Sequence, residues 1–181
     1  MNKIKKYFLI KRKNKEYKNY IHDHKINILK AFYEMISCEN LEDIFSDSKV
    51  ILELWQRALD HDDSKYKKEE FYAYRKNYFP INEQEKISNE TAFEEAWKHH
   101  WENNRHHWQA RQNDICENNK LTFQQKIDCL ENIMDWLAVG YTVNDRPYQY
   151  YEENKDEIIL PQPEKDFIEK IIYEGIDKDV Y

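Results

Sequence analysis

Apolar residues recur every three or four places through most of this chain, and no stretch alternates convincingly with period two. The first clear stripe, "IHDHKINILKAFYEMI", sets Ile21, His24, Ile28, Phe32 and Met35 at helical spacing. "SDSKVILELWQRALDHDDSK" offers Ser46 or Ser48 as an N-cap, then Ile51, Leu54, Trp55 and Ala58 on one face. "KKEEFYAYRKNYF" predicts a shorter helix stopped by Pro80. "SNETAFEEAWKHHW" begins like a capped helix, with Ser88 or Asn89 ahead of acidic residues. "LTFQQKIDCLENIMDWLAVG" has Thr122 as its cap, Phe123, Ile127, Leu130, Met134 and Leu137 as its stripe, and Gly140 as its stop. "RPYQYYEENKDE" predicts a further helix, and "QPEKDFIEKIIYEGI" closes the chain with Pro163 in a first turn and Gly175 at a C-cap. The expected fold is all-α, an irregular helical bundle of about six or seven helices.

No repeat and no long Gly/Ser or Pro linker divides the 181 residues. We therefore expect one domain: a basic N-terminal arm over 1–20, a helical core over 21–145, and a C-terminal helical extension over 146–181 packed on it.

Composition changes this picture in two places. Charged residues make up 35 % of the chain, yet 14 Tyr, 8 Phe and 5 Trp allow a core built from rings with a polar edge. The net charge of −7 argues against a general nucleic-acid binder, although Lys3, Lys5, Lys6, Lys11, Arg12, Lys13, Lys15 and Lys18 face only Glu16 over residues 3–18. Such an arm can touch phosphate backbones; its first reading is a solvated lead-in. Within it "YFLI" is too short for a signal or a membrane span, so no membrane contact is expected. Cys38, Cys116 and Cys129 form no CxxC pair and read as reduced thiols of a cytoplasmic protein. Two glycines leave no P-loop or GxGxxG turn, and there is no GxSxG elbow.

The chemistry lies in polar residues on apolar stripes. His24 falls between Ile21 and Ile28, and the face of Leu54 and Ala58 continues onto His61 and Asp62. The face of Phe93 and Trp97 continues onto His100 and, seven places on, His107; Asp135 sits inside "IMDWLA". A buried imidazole or carboxylate without a partner costs several kcal/mol or changes its protonation. One divalent cation would satisfy several at once, since it takes neutral imidazole nitrogens and carboxylate oxygens at short range. The His-Asp dipeptide occurs twice, at 22–23 and 61–62, so the ordered set carries the meaning and the pair alone does not. His22 is a rival to His24, but fits the stripe less well.

The order His24, His61-Asp62, the histidines near 100 and 107, then Asp135 resembles the HD-domain metal-dependent phosphohydrolase superfamily. "HDDSKY", "AWKHHW" and "MDWLAVG" also resemble uncharacterised bacterial and phage proteins with an HDxSK signature, over roughly residues 21–140. The resemblance implies a first metal site of His24, His61, Asp62 and Asp135. It further implies an optional second ion, bridged by Asp62 and held by His100 and either His107 or His106, His107 being favoured by its spacing. The cofactor would be one or two divalent ions (Mn, Fe, Co, Ni, Mg or Zn), and the reaction hydrolysis of a nucleotide or other small phosphoester. No "GYP" follows the histidines, so cyclic-dinucleotide cleavage is not implied.

Asp62 and Lys65 are the expected catalytic residues, with Lys65 offering a point charge to a substrate phosphate or standing as a solvated lysine. Arg105 and His106 are further candidates to contact substrate, Arg105 having a surface ion pair as its alternative. Ser64 either caps the "KKEEF" helix or meets a phosphate oxygen. The competing readings are a non-catalytic helical protein with a structural His/Asp site, and a phage or host interaction protein.

Overall fold

The structure is a computed structural model that describes residues 2–178; Met1 of the expected arm and residues 179–181 of the expected C-terminal extension lie outside the described residues. Among the described residues there are nine α-helices, four short 3-10 turns and one π segment, with no strand. The helices are α1 (Lys3–Ile36), α2 (Glu42–Phe45), α3 (Ser48–Asp60), α4 (Lys68–Tyr78), α5 (Glu83–Ile87), α6 (Glu90–Asn103), α7 (Phe123–Val143), α8 (Pro147–Asn154) and α9 (Gln162–Glu169). The fold is all-α, as the periodicity predicts. The unexpected helices α2 and α5 are single turns, too short to display a repeat of 3.6.

The basic segment over 1–20 is no separate arm from residue 3 onward, because α1 runs unbroken for 34 residues through it. Lysine and arginine are good helix formers, and no Gly or Pro interrupts the run.

The described residues cluster into two compact units. One takes 2–23 and 62–104, the other 24–61 and 105–178. The core of the first is aromatic: Tyr17 and Ile21 from α1, Phe71 and Tyr74 from α4, and Ala96 from α6, flanked by Phe79, Phe93 and Trp97. The Tyr17 and Phe71 rings lie 5.2 Å apart, as do those of Tyr74 and Phe93. Edge and tilted contacts of this kind let a strongly polar stretch build a core from few residues.

The second unit has an aliphatic core. Ile28, Ala31, Phe32 and Met35 of α1 meet Val50, Leu54 and Ala58 of α3 and the long stripe of α7, and Tyr151, Ile168 and Ile171 close it. Thr122 caps α7, accepting from the Gln125 N–H while the Gln125 side chain accepts from the Thr122 N–H. Gly140 does not stop the helix. The helix continues to Val143 and ends at left-handed Asn144 (φ 59°), while a Cβ at 140 would run into the Asp145 carbonyl oxygen. Likewise Gly175 lies inside the π segment Lys170–Ile176, where a Cβ would meet the Leu41 side chain. At the start of α3, Asp47 rather than Ser46 or Ser48 is the N-cap, its carboxylate accepting from the Lys49 N–H.

Candidate metal centre

In the second unit, three elements deliver side chains to one point. α1 carries His24, the residue closing α3 is His61, and α7 carries Asp135. His24 Nε2 lies 3.1 Å from Asp135 Oδ1 and 3.4 Å from His61 Nε2, and His61 Nε2 lies 3.6 Å from Asp135 Oδ1. Donors bound at about 2.1 Å to one ion sit roughly 3.0 to 3.4 Å apart, for octahedral and tetrahedral angles respectively. Two edges fall in that range and the third, His61 to Asp135 at 3.6 Å, lies slightly beyond it; the two imidazole nitrogens and one carboxylate oxygen are the donor types that first-row divalent ions take. The His61 side chain is fully buried, whereas His24 and Asp135 keep 11 % and 16 % of their side-chain surface exposed.

Behind His61 stands Glu131, a residue that the stripe reasoning passed over. It lies four places before Asp135 on α7, hence on the same helical face. His61 Nδ1 donates to Glu131 Oε1 at 3.0 Å, His106 Nδ1 approaches the same oxygen at 3.3 Å, and Arg57 donates to Oε2 at 3.1 Å. A carboxylate on Nδ1 requires the proton there, which leaves the His61 Nε2 lone pair directed toward His24 and Asp135. Burial raises the Glu131 pKa, but the hydrogen bonds from His106 and His61 outweigh it and hold the carboxyl below its ordinary range. Asp135 behaves in the same way: burial opposes its charge, and the His24 and His61 contacts lower its pKa well below the usual value. Burial and the neighbouring His61 together depress the His106 pKa, so that ring is neutral.

The expectation that favoured His107 over His106 rested on a helix continuing past residue 104. α6 stops at Asn103, with Asn104 extended (φ −130°, ψ 98°), so the sevenfold spacing from His100 has no helix to carry it. It is His106 that meets Glu131, and the His107 ring lies against His106 with 4.1 Å between centroids. Arg105, a candidate clamp for a leaving group, is bound by carboxylates: Nε donates to Asp128 at 2.9 Å and the guanidinium also pairs with Asp114.

The other unit holds Asp62, Lys65 and His100. α3 ends at Asp60, so His61 and Asp62 leave the helix and do not extend its apolar stripe. Asp62 is left-handed (φ 60°, ψ 16°), a conformation that aspartate tolerates better than most residues. Its Oδ1 lies 3.1 Å from His100 Nε2, and Lys65 Nζ donates to its Oδ2. His100 Nδ1 donates to Glu70 Oε2 at 2.8 Å. Burial works against a charged His100, but hydrogen bonds to Asp62 and Glu70 prevail and raise its pKa. Glu70, also unforeseen, further accepts from His99 at 2.8 Å and from Ser64 Oγ at 2.9 Å. Its signal was position: four places before Tyr74, it shares the buried face of α4. Ser64 thus caps no helix; the N-cap of α4 is Lys67, without a side-chain bond.

The geometry brings His24, His61 and Asp135 together in one unit, with Glu131 and His106 behind them, and sets Asp62 with Lys65 and His100 in the other. Compared with known proteins, residues 13–174 match the family described as "Family of unknown function (DUF5662)". No curated protein and no solved structure matches the chain.

Proposed function

The chain belongs to this family, whose description carries no activity, and from its side chains we propose a metal-dependent phosphohydrolase acting on a nucleotide or another small phosphoester. The observation that supports this reading is the triangle of His24 Nε2, His61 Nε2 and Asp135 Oδ1, with edges of 3.1 to 3.6 Å. His24, His61 and Asp135 would hold a divalent ion, which would supply Lewis-acid chemistry for activating water near neutral pH. Three protein donors leave room for water and substrate, the pattern of catalytic rather than closed structural sites. His24 and His61 bind as neutral rings, and Glu131 keeps the His61 proton on Nδ1, away from the donor atom. Asp135, held ionised, supplies negative charge to the site.

A second reading is a structural His/carboxylate site, with an ion or as a hydrogen-bonded network, that only joins helices. It is supported by His100, both of whose nitrogens already meet carboxylates. Metal analysis of the purified protein, followed by a phosphoester screen with Mn²⁺, Co²⁺, Ni²⁺ and Mg²⁺, separates the two. The phosphohydrolase reading expects turnover that falls at least about 100-fold in Asp135→Ala and His61→Ala together with lost metal. Bound metal without turnover, with Asp135→Ala changing only the melting temperature, sinks that reading in favour of the second.

A further inference from the structure

We propose that the unit of residues 2–23 and 62–104 carries a binding face for single-stranded nucleic acid, made of one base-sized pocket and a row of cations and rings along α1. The pocket, about 210 Å³, is lined by Asn14, Lys18, Tyr66, Lys68, Phe71 and Tyr72. Drug-sized ligands occupy roughly 300–1,000 Å³, so this space suits one flat ring with its phosphates left outside. Tyr66 and Tyr72 are 41 % and 53 % exposed, large phenol faces without full cover. Lys18 Nζ lies 5.7 Å over the Phe71 ring, which fixes a cation at the pocket wall. Asn14 Oδ1 is buried with no hydrogen-bond partner among the described residues, an acceptor suited to the exocyclic amine of a base.

The row outside the pocket follows from helical geometry. Residues 4, 7, 8, 11, 15 and 18 share one face of α1, and all six are exposed: Ile4, Tyr7 and Phe8 lead into Lys11, Lys15 and Lys18. Lys11 to Lys18 spans about 10.5 Å along the axis, a scale at which successive phosphates of an extended strand can be met. Lys15 and Lys18 have no carboxylate partner among the described residues, and Lys11 Nζ lies 5.2 Å over the Tyr7 ring. One rim charge is offset, since Glu69 stands 3.8 Å from Lys68. Cations interleaved with aromatic faces are what a single strand needs, because its bases stack and its phosphates pair. A bilayer would reward a wider aliphatic face than the one that Ile4 supplies, and would gain nothing from a buried amide acceptor. A duplex would leave the rings unused.

The face is independent of the metal reading, so binding is measured in chelator by fluorescence anisotropy of labelled oligodeoxycytidylate with the full chain. Salt-weakened binding is expected, with Tyr72→Ala weaker by at least about fivefold. Lys15→Ala/Lys18→Ala should lower the slope of log affinity against log salt by about 1.4, at roughly 0.7 per lost phosphate contact. Both variants alter exposed side chains, and unchanged circular dichroism and melting confirm that they fold. The inference is overturned by no salt-dependent binding, by both folded variants binding like the parent, or by lysine-dependent capture on phosphatidylserine vesicles without strand binding.

Discussion

Glu131 uses one oxygen to meet two imidazoles and the other to meet Arg57, and this single carboxylate decides which nitrogen His61 presents. Glu131→Gln keeps the shape and removes the charge. It removes the charge that Oε2 offers Arg57, which keeps Asp128 and Glu53, and should cost about 1 kcal/mol of stability. It should also weaken Mn²⁺ binding about 10- to 100-fold, as outer-shell partners of metal-bound histidines generally do. Calorimetric titration checks this: unchanged metal affinity in a destabilised variant would reduce Glu131 to a packing residue. Its position was legible in principle, four residues before Asp135, but a stripe search for histidine and aspartate passes over a glutamate. Where α6 stops was less legible, since Asn103 and Asn104 carry no repeat to mark the end.

At the scale of elements, the shortest helices escape periodicity and are held by specific side-chain bonds. α5 is tied to α4 by Arg75, whose guanidinium donates to Glu85 at 2.7 and 3.2 Å, while the Ile81 N–H donates to the same carboxylate at 2.8 Å. Burial raises the Glu85 pKa, but the Arg75 and Ile81 hydrogen bonds prevail and set it below the ordinary 4.5. A carboxyl depressed in the folded state stabilises above its unfolded pKa, and that gain is lost as pH falls through the folded value. Glu85→Gln strands a buried guanidinium and should therefore cost about 3 kcal/mol near neutrality. The deficit relative to the parent should shrink well below pH 4.5, as urea titrations at the two pH values would show. A deficit that stays constant would locate the effect in packing. The end of α3 teaches the same lesson about elements: the run from Leu54 through Ala58 reads as if it continued onto His61 and Asp62. The left-handed turn at Asp62 instead gives the two side chains to different units.

For the whole molecule, the family match over 13–174 spans both units, and the chain passes between them after Asp23, His61 and Asn104. Among the described residues, no helix is long and apolar enough to cross a membrane. A ligand bound only by the folded state stabilises it by about 2.7 kcal/mol at one hundred times its dissociation constant. Saturating Mn²⁺ should thus raise the melting temperature of the parent and leave that of His24→Ala unmoved. Imidazole donors must be unprotonated, so protons compete with the ion, and the gain should fade as the solution is made acidic. Scanning calorimetry at neutral and acidic pH tests the point, and equal shifts in the parent and His24→Ala would remove the triangle from consideration.

Periodicity alone determined that this chain is helical and which faces are apolar, because the 3.6-residue repeat is a local property written into neighbouring residues. It also placed His24, His61 and Asp135 on or beside those faces. Only the tertiary structure decided that the three meet within coordination distance, that Glu131 stands behind them, and that the His-Asp pair is divided between two units. Those outcomes depend on helix ends and turns, where single backbone angles at Asp62 and Asn104 redirect side chains and no repeat exists to announce them.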